Sequence, residues 1–178
     1  MARPEKVVIL GPESTGKSTL CASLAAHYHC SWAPEFARKY LLELGRPYNF
    51  DDLLVIAKGQ LRTEDEMTKQ TKERILFIDT DMYVMKVWCE FVFGKCHSFI
   101  LDQIVEREYD LYLLCNTDLP WVKDELREYP DLENRNKLFH IYKDLMINQH
   151  KPWAEISGLD EERLKQGVRA VNALMVGS

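Results

Sequence analysis

The chain has 178 residues, with 23 Lys and Arg against 28 Asp and Glu and a formal net charge of −5. Hydrophobic residues make up 46% and charged residues 29%, which excludes a disordered or fibrous chain and suits one domain of roughly 100–200 residues with its own core. The acidic balance argues against a duplex nucleic acid partner, whose phosphates need a basic surface, but leaves room for a phosphorylated small molecule held by a few local donors.

Met1-Ala2-Arg3-Pro4-Glu5-Lys6 precedes four consecutive aliphatic residues, too few for a secretory h-region. No apolar run approaches the ~18 residues of a membrane span. The expectation is therefore a cytoplasmic chain without a membrane partner. No repeat, linker or low-complexity tract interrupts it, so residues 1–178 are expected to form one domain. Cys21, Cys30, Cys89, Cys96 and Cys115 form no C-x-x-C pair, and their odd number leaves a free thiol in any disulfide scheme. Apolar neighbours mark them as buried, reduced thiols.

Short aliphatic runs alternate with long amphipathic stretches. Val7-Val8-Ile9-Leu10, Ile75-Leu76-Phe77-Ile78 and Leu111-Tyr112-Leu113-Leu114 are apolar on consecutive positions, as strands covered on both faces must be. Ser31-Trp32-Ala33 and Trp153-Ala154-Glu155-Ile156 are weaker strand candidates. Helices are expected over 17–29, 35–45, 51–73, 82–108 (two, broken near Gly94), 132–149 and 160–175. Leu53, Ile56, Ala57, Gln60 and Leu61 show the spacing of one buried helical face. Such alternation predicts a three-layer α/β fold around a five-stranded parallel sheet. The stretch 116–131, with two prolines and several charges, is the longest loop-like segment.

Directly after the first strand comes Gly11-Pro12-Glu13-Ser14-Thr15-Gly16-Lys17-Ser18-Thr19, a complete G-x-x-x-x-G-K-S between a strand and a helix. Gly11 and Gly16 permit backbone angles and close approach that a Cβ would block. Amides from Glu13 to Thr19 form an anion nest, reinforced by the helix that starts at Lys17. Lys17 reaches the β- and γ-phosphates, and the Ser18 hydroxyl can complete a Mg2+ shell. This pattern binds a nucleoside triphosphate.

A magnesium carboxylate is expected at the end of a neighbouring strand, where ligands of open α/β sheets gather. Asp79 ends the run 75–78 and is the candidate, directly or through water. Asp81 either caps the following helix or, the preferred assignment, holds or activates the acceptor, with Glu35 contacting the acceptor's hydroxyls or in the reverse order. Glu35, in Trp32-Ala33-Pro34-Glu35-Phe36-Ala37-Arg38, is the other carboxylate able to act as base. Pro120-Trp121-Val122-Lys123-Asp124-Glu125-Leu126-Arg127 and the later Arg135 supply cations for a mobile lid over about 116–136. The five histidines show no metal-like convergence.

Three P-loop classes compete: a small-molecule kinase, a GTPase switch and an ATPase motor or module. Neither N-K-x-D nor D-x-x-G is present for a GTPase, and a motor would usually bring more length and a helical lid domain. A phosphotransferase must hold a second substrate and exclude water, which the extra carboxylates and arginines suit.

Taken in order, residues 11–19, Pro-Glu-Phe-Ala-Arg at 34–38, Phe-Ile-Asp-Thr-Asp at 77–81, Asp-Leu-Pro-Trp-Val-x-Asp-x-Leu-Arg at 118–127 and Ile-Ser-Gly at 156–158 resemble the ribosylnicotinamide kinase domain of the bacterial NadR-type proteins. The resemblance covers nearly the whole chain. It implies a P-loop kinase of NAD biosynthesis that phosphorylates nicotinamide riboside with ATP and Mg2+. It implies that Gly11, Glu13, Ser14, Thr15, Gly16, Lys17, Ser18 and Thr19 bind ATP, with Ser18 and Asp79 at the metal. Glu35, Arg38 and Asp81 would lie near the riboside, and Arg127 and Arg135 would belong to the lid. Ile156-Ser157-Gly158-Leu159 lies where related nucleotide kinases often contact adenine. In that family the domain often follows an adenylyltransferase and a DNA-binding domain; with the P-loop beginning at Gly11, a stand-alone kinase is expected.

Nicotinamide riboside carries a fixed positive charge, so its site should offer aromatic faces and carboxylates. Trp32 and Phe36 flank Glu35, and Trp32 is the expected aromatic contact. The runner-up is a kinase for another nucleoside or nucleotide.

Overall fold

A computed structural model describes residues 3–123 and 126–177. Met1, Ala2 and Ser178 of the expected domain, and Asp124 and Glu125 of the expected lid, lie outside the described residues. Five strands, β1 (Glu5–Leu10), β2 (Trp32–Ala33), β3 (Ile75–Asp79), β4 (Leu111–Cys115) and β5 (Trp153–Ile156), form one sheet in the order β2-β3-β1-β4-β5. All four pairings are parallel. Among the described residues six helices fill the connections, α1 (Lys17–Tyr28), α2 (Phe36–Leu44), α3 (Phe50–Gln70), α4 (Met82–Phe93), α5 (Ser98–Glu106) and α6 (Leu132–Asn148), and a seventh, α7 (Asp160–Val176), follows β5.

The consecutive apolar residues of β1 divide between two faces, because side chains alternate along a strand. Val7 and Ile9 pack with Phe77, Leu111 and Leu113 against Leu20, Leu24 and Val171 of α1 and α7. Val8 and Leu10 pack with Leu76, Ile78 and Leu114 against Leu138, Phe139 and Met146 of α6. A third cluster, including Leu53, Ile56, Met85 and Ile100, joins α2, α3, α4 and α5 beyond the edge strand β2. Covering both faces accounts for the near-continuous hydrophobic strands.

One expected helix break is found where it was expected, and one expected helix is shorter. The stretch 82–108 breaks at Gly94, which takes the left-handed conformation (φ 68°) as the C-cap of α4. The predicted 51–73 helix ends at Gln70, and Thr71 turns extended so that 71–74 can lead into β3. Its start is fixed by a capping box, in which Asn49 and Asp52 each accept from the other's backbone N–H. No helix among the described residues is long and apolar enough to cross a membrane.

Candidate active site

The site begins at the carboxyl end of β1, beside the point where the chain passes from one side of the central strand to the other. Gly11 has φ 141°, and a Cβ there would stand 2.8 Å from the Cys115 carbonyl oxygen, so only glycine lets this loop leave β1 against β4. Gly16, at φ 75°, is the N-cap of α1. Between them Thr15 Oγ1 donates to the Pro12 carbonyl at 2.7 Å, and Lys17 Nζ donates to the same oxygen at 2.8 Å. The loop folds on itself and holds Lys17 across it.

Register brings the second element. Ile9 pairs with Asp79 across β1 and β3, which sets the carboxylate beside the loop. Ser18 Oγ donates to Asp79 Oδ2 at 2.5 Å, whereas the buried Asp79 Oδ1 has no hydrogen-bond partner among the described residues. Burial raises the Asp79 pKa; the Ser18 bond and the Lys17 charge oppose that rise. An orphaned carboxylate oxygen beside a hydroxyl is a hard-oxygen donor pair that suits Mg2+, which takes one or two protein oxygens and completes its shell with phosphates and water. Ser18 and Asp79 therefore fit a magnesium ion. Among the described residues no three His, Cys, Asp or Glu gather into a fuller cage.

The other expected side chains separate into two groups. Glu35 and Arg38, at the start of α2, line a cavity of about 270 Å³ together with residues 11–19 and Arg127. Burial pushes the Glu35 carboxyl above its ordinary range, with Lys17 pulling it down and Asp79 pushing it further up; it is thus an electrostatic neighbour of both. Asp81 lies outside that lining. It is 2% exposed and caps α4, with Oδ1 accepting from Tyr83 N at 3.1 Å and Val84 N at 3.3 Å. Burial, with Glu64 nearby, pushes its pKa up to about 7.

Trp32 also lies outside the lining and packs, half-buried, against the core below α1 and α7. Arg135 is buried behind the loop, where Nη2 donates to the carbonyls of Ser14 (3.3 Å) and Leu119 (3.0 Å). Arg127 Nη1 donates to the Val122 carbonyl at 2.6 Å. The segment 156–159 is closed by its own bonds: Gly158 N donates to Asp118, and Ser157 pairs twice with the Gln166 amide.

The far wall of the cavity comes from residues that sequence reasoning passed over. Val84, Val87, Trp88 and Phe91 of α4 line it with Tyr48, Tyr129 and Tyr142. Trp88 Nε1 donates to Tyr48 Oη at 3.1 Å, and Tyr48 Oη donates to the Glu128 carboxylate at 2.8 Å. The Tyr48 and Trp88 rings meet edge-on at 5.3 Å, and those of Phe91 and Tyr129 at 5.2 Å. The spacing of the α4 residues is that of any buried stripe, so nothing local distinguished a cavity wall from core.

Arg163 was also overlooked. It is 2% exposed, yet its neighbours Glu161, Glu162 and Lys165 make it look like one more solvated helix charge. Its guanidinium donates to the carbonyls of Thr15 (2.7 Å), Asn116 (3.0 Å) and Gly158 (2.8 Å) and pairs with Asp118. It ties the phosphate loop to the ends of β4 and β5.

Comparison with known proteins agrees with this geometry. A family model described as an AAA domain matches residues 6–163. Over 174 residues the chain is 29% identical to the trifunctional NAD biosynthesis/regulator protein NadR of Escherichia coli K12, covering 95% of this chain and 42% of that protein. The chain thus spans about two fifths of the length of the curated relatives it matches. It superposes on the crystal structure of NadR in complex with NR with a TM-score of 0.77 at 22% identity, over 96% of this chain and 49% of that one. Thymidylate kinase from Ehrlichia chaffeensis superposes with a TM-score of 0.68 at 12% identity, over 96% and 99%. The sheet, its helices and the phosphate loop are those of a P-loop kinase fold, and the chain belongs to the AAA domain family.

Proposed function

We propose that this chain transfers the γ-phosphoryl group of ATP to the 5′-hydroxyl of nicotinamide riboside, yielding ADP and nicotinamide mononucleotide, as a single P-loop kinase domain over residues 1–178. One observation carries the reading. The cavity that opens from the phosphate loop is walled by aromatic rings (Tyr48, Trp88, Phe91, Tyr129) and carboxylates (Glu13, Glu35, Glu128). Aromatic faces contribute ~0.5–2 kcal/mol toward a bound cation, and carboxylates add Coulomb attraction that grows as water leaves. Lys17, Arg38 and Arg127 line the same cavity and suit the phosphates, which leaves the aromatic faces and carboxylates for a pyridinium ring. The similarity to NadR, a protein named for NAD biosynthesis and solved in complex with NR, supports the same reading.

The chemistry divides among few groups. The loop 11–16 and the N-terminus of α1 hold the phosphates, and Lys17 neutralises charge at the β- and γ-positions. Magnesium, held by Ser18 and Asp79, would supply further charge neutralisation there. Glu35, on the cavity wall beside Lys17, takes the proton of the attacking 5′-hydroxyl. The hydroxyl oxygen bonds to the γ-phosphorus, the bond to the β–γ bridging oxygen breaks, and that electron pair leaves with ADP. The raised pKa of Glu35 suits a base, since proton transfer is most efficient when the pKa approaches the working pH. Asp81 serves this site by capping α4 and so placing Val84, Val87 and Trp88. Arg127 and Arg38 supply cations at the cavity.

The test is kcat/KM under magnesium-ATP for nicotinamide riboside, its uncharged reduced form and thymidine. Nicotinamide riboside should lead both by at least about tenfold, a difference of ~1.4 kcal/mol. The fold shared with thymidylate kinase favours a second reading, a kinase for an ordinary nucleoside or nucleotide; equal or better values for thymidine or its monophosphate would establish it. ATP hydrolysis unchanged by any acceptor would instead point to an NTPase module.

A further inference from the structure

The phosphate loop carries a carboxylate whose contacts lie outside the loop. Glu13 Oε2 accepts from the backbone N–H of Glu128 at 3.0 Å, and Oε1 accepts from that of Tyr129 at 2.5 Å. The neighbouring Ser14 Oγ accepts from Val122 N at 3.1 Å. Two successive amides converging on one carboxylate form charge-assisted bonds, stronger than neutral ones, across 115 positions of sequence. The same segment is held on its other side by side chains. Tyr48 donates to the Glu128 carboxylate, and the Tyr129 ring meets Phe91. Leu126, Arg127, Glu128 and Tyr129 all line the cavity.

We propose that Glu13 is a positioning residue whose carboxylate seats the segment 126–129 across the cavity, bringing Arg127 to the phosphate loop and shielding the transferred group from water. This rests on the kinase reading above. The reason for a carboxylate at this position is physical. Amides in an exposed segment would otherwise bond to water, and an anion fixed in the phosphate loop competes for them. Because Glu13 belongs to the loop that grips the triphosphate, nucleotide grip and segment placement share one stretch of backbone. An apolar residue at position 13 would leave the loop intact and the segment unseated.

The test compares wild type with Glu13→Ala and Glu13→Gln. The first readout is hydrogen exchange in the peptide covering 126–130, which needs no acceptor and so stands whichever acceptor the enzyme uses. Exchange at 128 and 129 should quicken at least about tenfold in Glu13→Ala and by less in Glu13→Gln, whose amide oxygen still accepts. The second readout is the ratio of ADP released to acceptor phosphorylated. It should rise severalfold in Glu13→Ala, because water then competes for the phosphoryl group, and return toward wild type in Glu13→Gln. Unchanged exchange in a folded Glu13→Ala protein overturns the proposal. Faster exchange with an unchanged ratio and unchanged kcat also overturns it, since Glu13 would then hold the segment without serving the reaction.

Discussion

Arg163→Ala is the perturbation that most directly tests how the phosphate loop is held. The guanidinium is 2% exposed and donates to three carbonyl oxygens, those of Thr15, Asn116 and Gly158, besides pairing with Asp118. Alanine leaves all three acceptors without that donor. A buried unsatisfied acceptor costs ~1–3 kcal/mol, and removing one partner of a buried pair costs about 3–5 kcal/mol. The Asp118 side chain is 35% exposed, so water compensates that partner and its share is small. The expected loss is about 3–5 kcal/mol in total, since the carbonyls belong to loops that can relax toward water. For a domain of this size each kcal/mol moves Tm by ~2–4 °C, which puts the fall at roughly 6–20 °C. Nucleotide binding should weaken as well, because the Thr15 carbonyl is part of the phosphate loop. The assay is a thermal melt followed by circular dichroism, with and without ATP, for wild type, Arg163→Ala and Arg163→Lys. Lysine cannot serve four acceptors with one ammonium and should fall between the others. An Arg163→Ala protein that melts within ~1 °C of wild type, with the same ATP-induced shift, would refute the reasoning.

Lys17→Ala and Asp79→Asn should each slow phosphoryl transfer at least a hundredfold, ~3 kcal/mol of barrier, while circular dichroism shows the fold retained. Because burial raises the Asp79 pKa, its charge costs stability at neutral pH, so Asp79→Asn should melt no lower than wild type. Glu35→Gln should lower kcat at saturating substrate at least about tenfold. Wild-type kcat should fall as pH drops through the raised Glu35 pKa, and the Gln variant should lack that acid limb. The linked stability change has a definite sign. With the folded pKa above the unfolded one, the folded state binds the extra proton, so stability rises as pH falls through that window; Glu35→Gln removes the share of that dependence due to Glu35, leaving those of Asp79 and Asp81.

How much of the site could be read beforehand follows from how local each signal is. The loop 11–19 was legible because strand, glycines, lysine and helix must be contiguous to bind a triphosphate. Asp79 was legible because parallel neighbours of β1 end at the same edge, and the Ile9–Asp79 register bears that out. The break near Gly94 was legible because glycine tolerates the left-handed angle that ends α4. For the loop and the Gly94 break the deciding residues lie within a few positions of one another, and for Asp79 the strand run 75–78 that it ends is itself a local signal.

Tertiary packing decided the rest. Asp81 had two open roles, cap or substrate group, and both are polar contacts at a helix start; the orientation of α4 made it a cap outside the cavity. Trp32 faces the α1 and α7 side because β2 pairs with β3 in the register Trp32–Phe77, which sends alternate residues to opposite faces. Trp88 and Phe91 share the periodicity of core residues, and the cavity arises only where α4 faces Tyr48, Tyr129 and Tyr142. Apart from the Gly158 carbonyl, Arg163 and Glu13 find the partners named above tens of positions or more than a hundred away in the chain. Local sequence thus determined the sheet, the phosphate loop and the carboxyl edge, because hydrophobic period and backbone conformation are short-range properties. The aromatic wall of the cavity and the bonds that seat the loop were decided by the tertiary structure, because a side chain's function depends on what the fold brings against it.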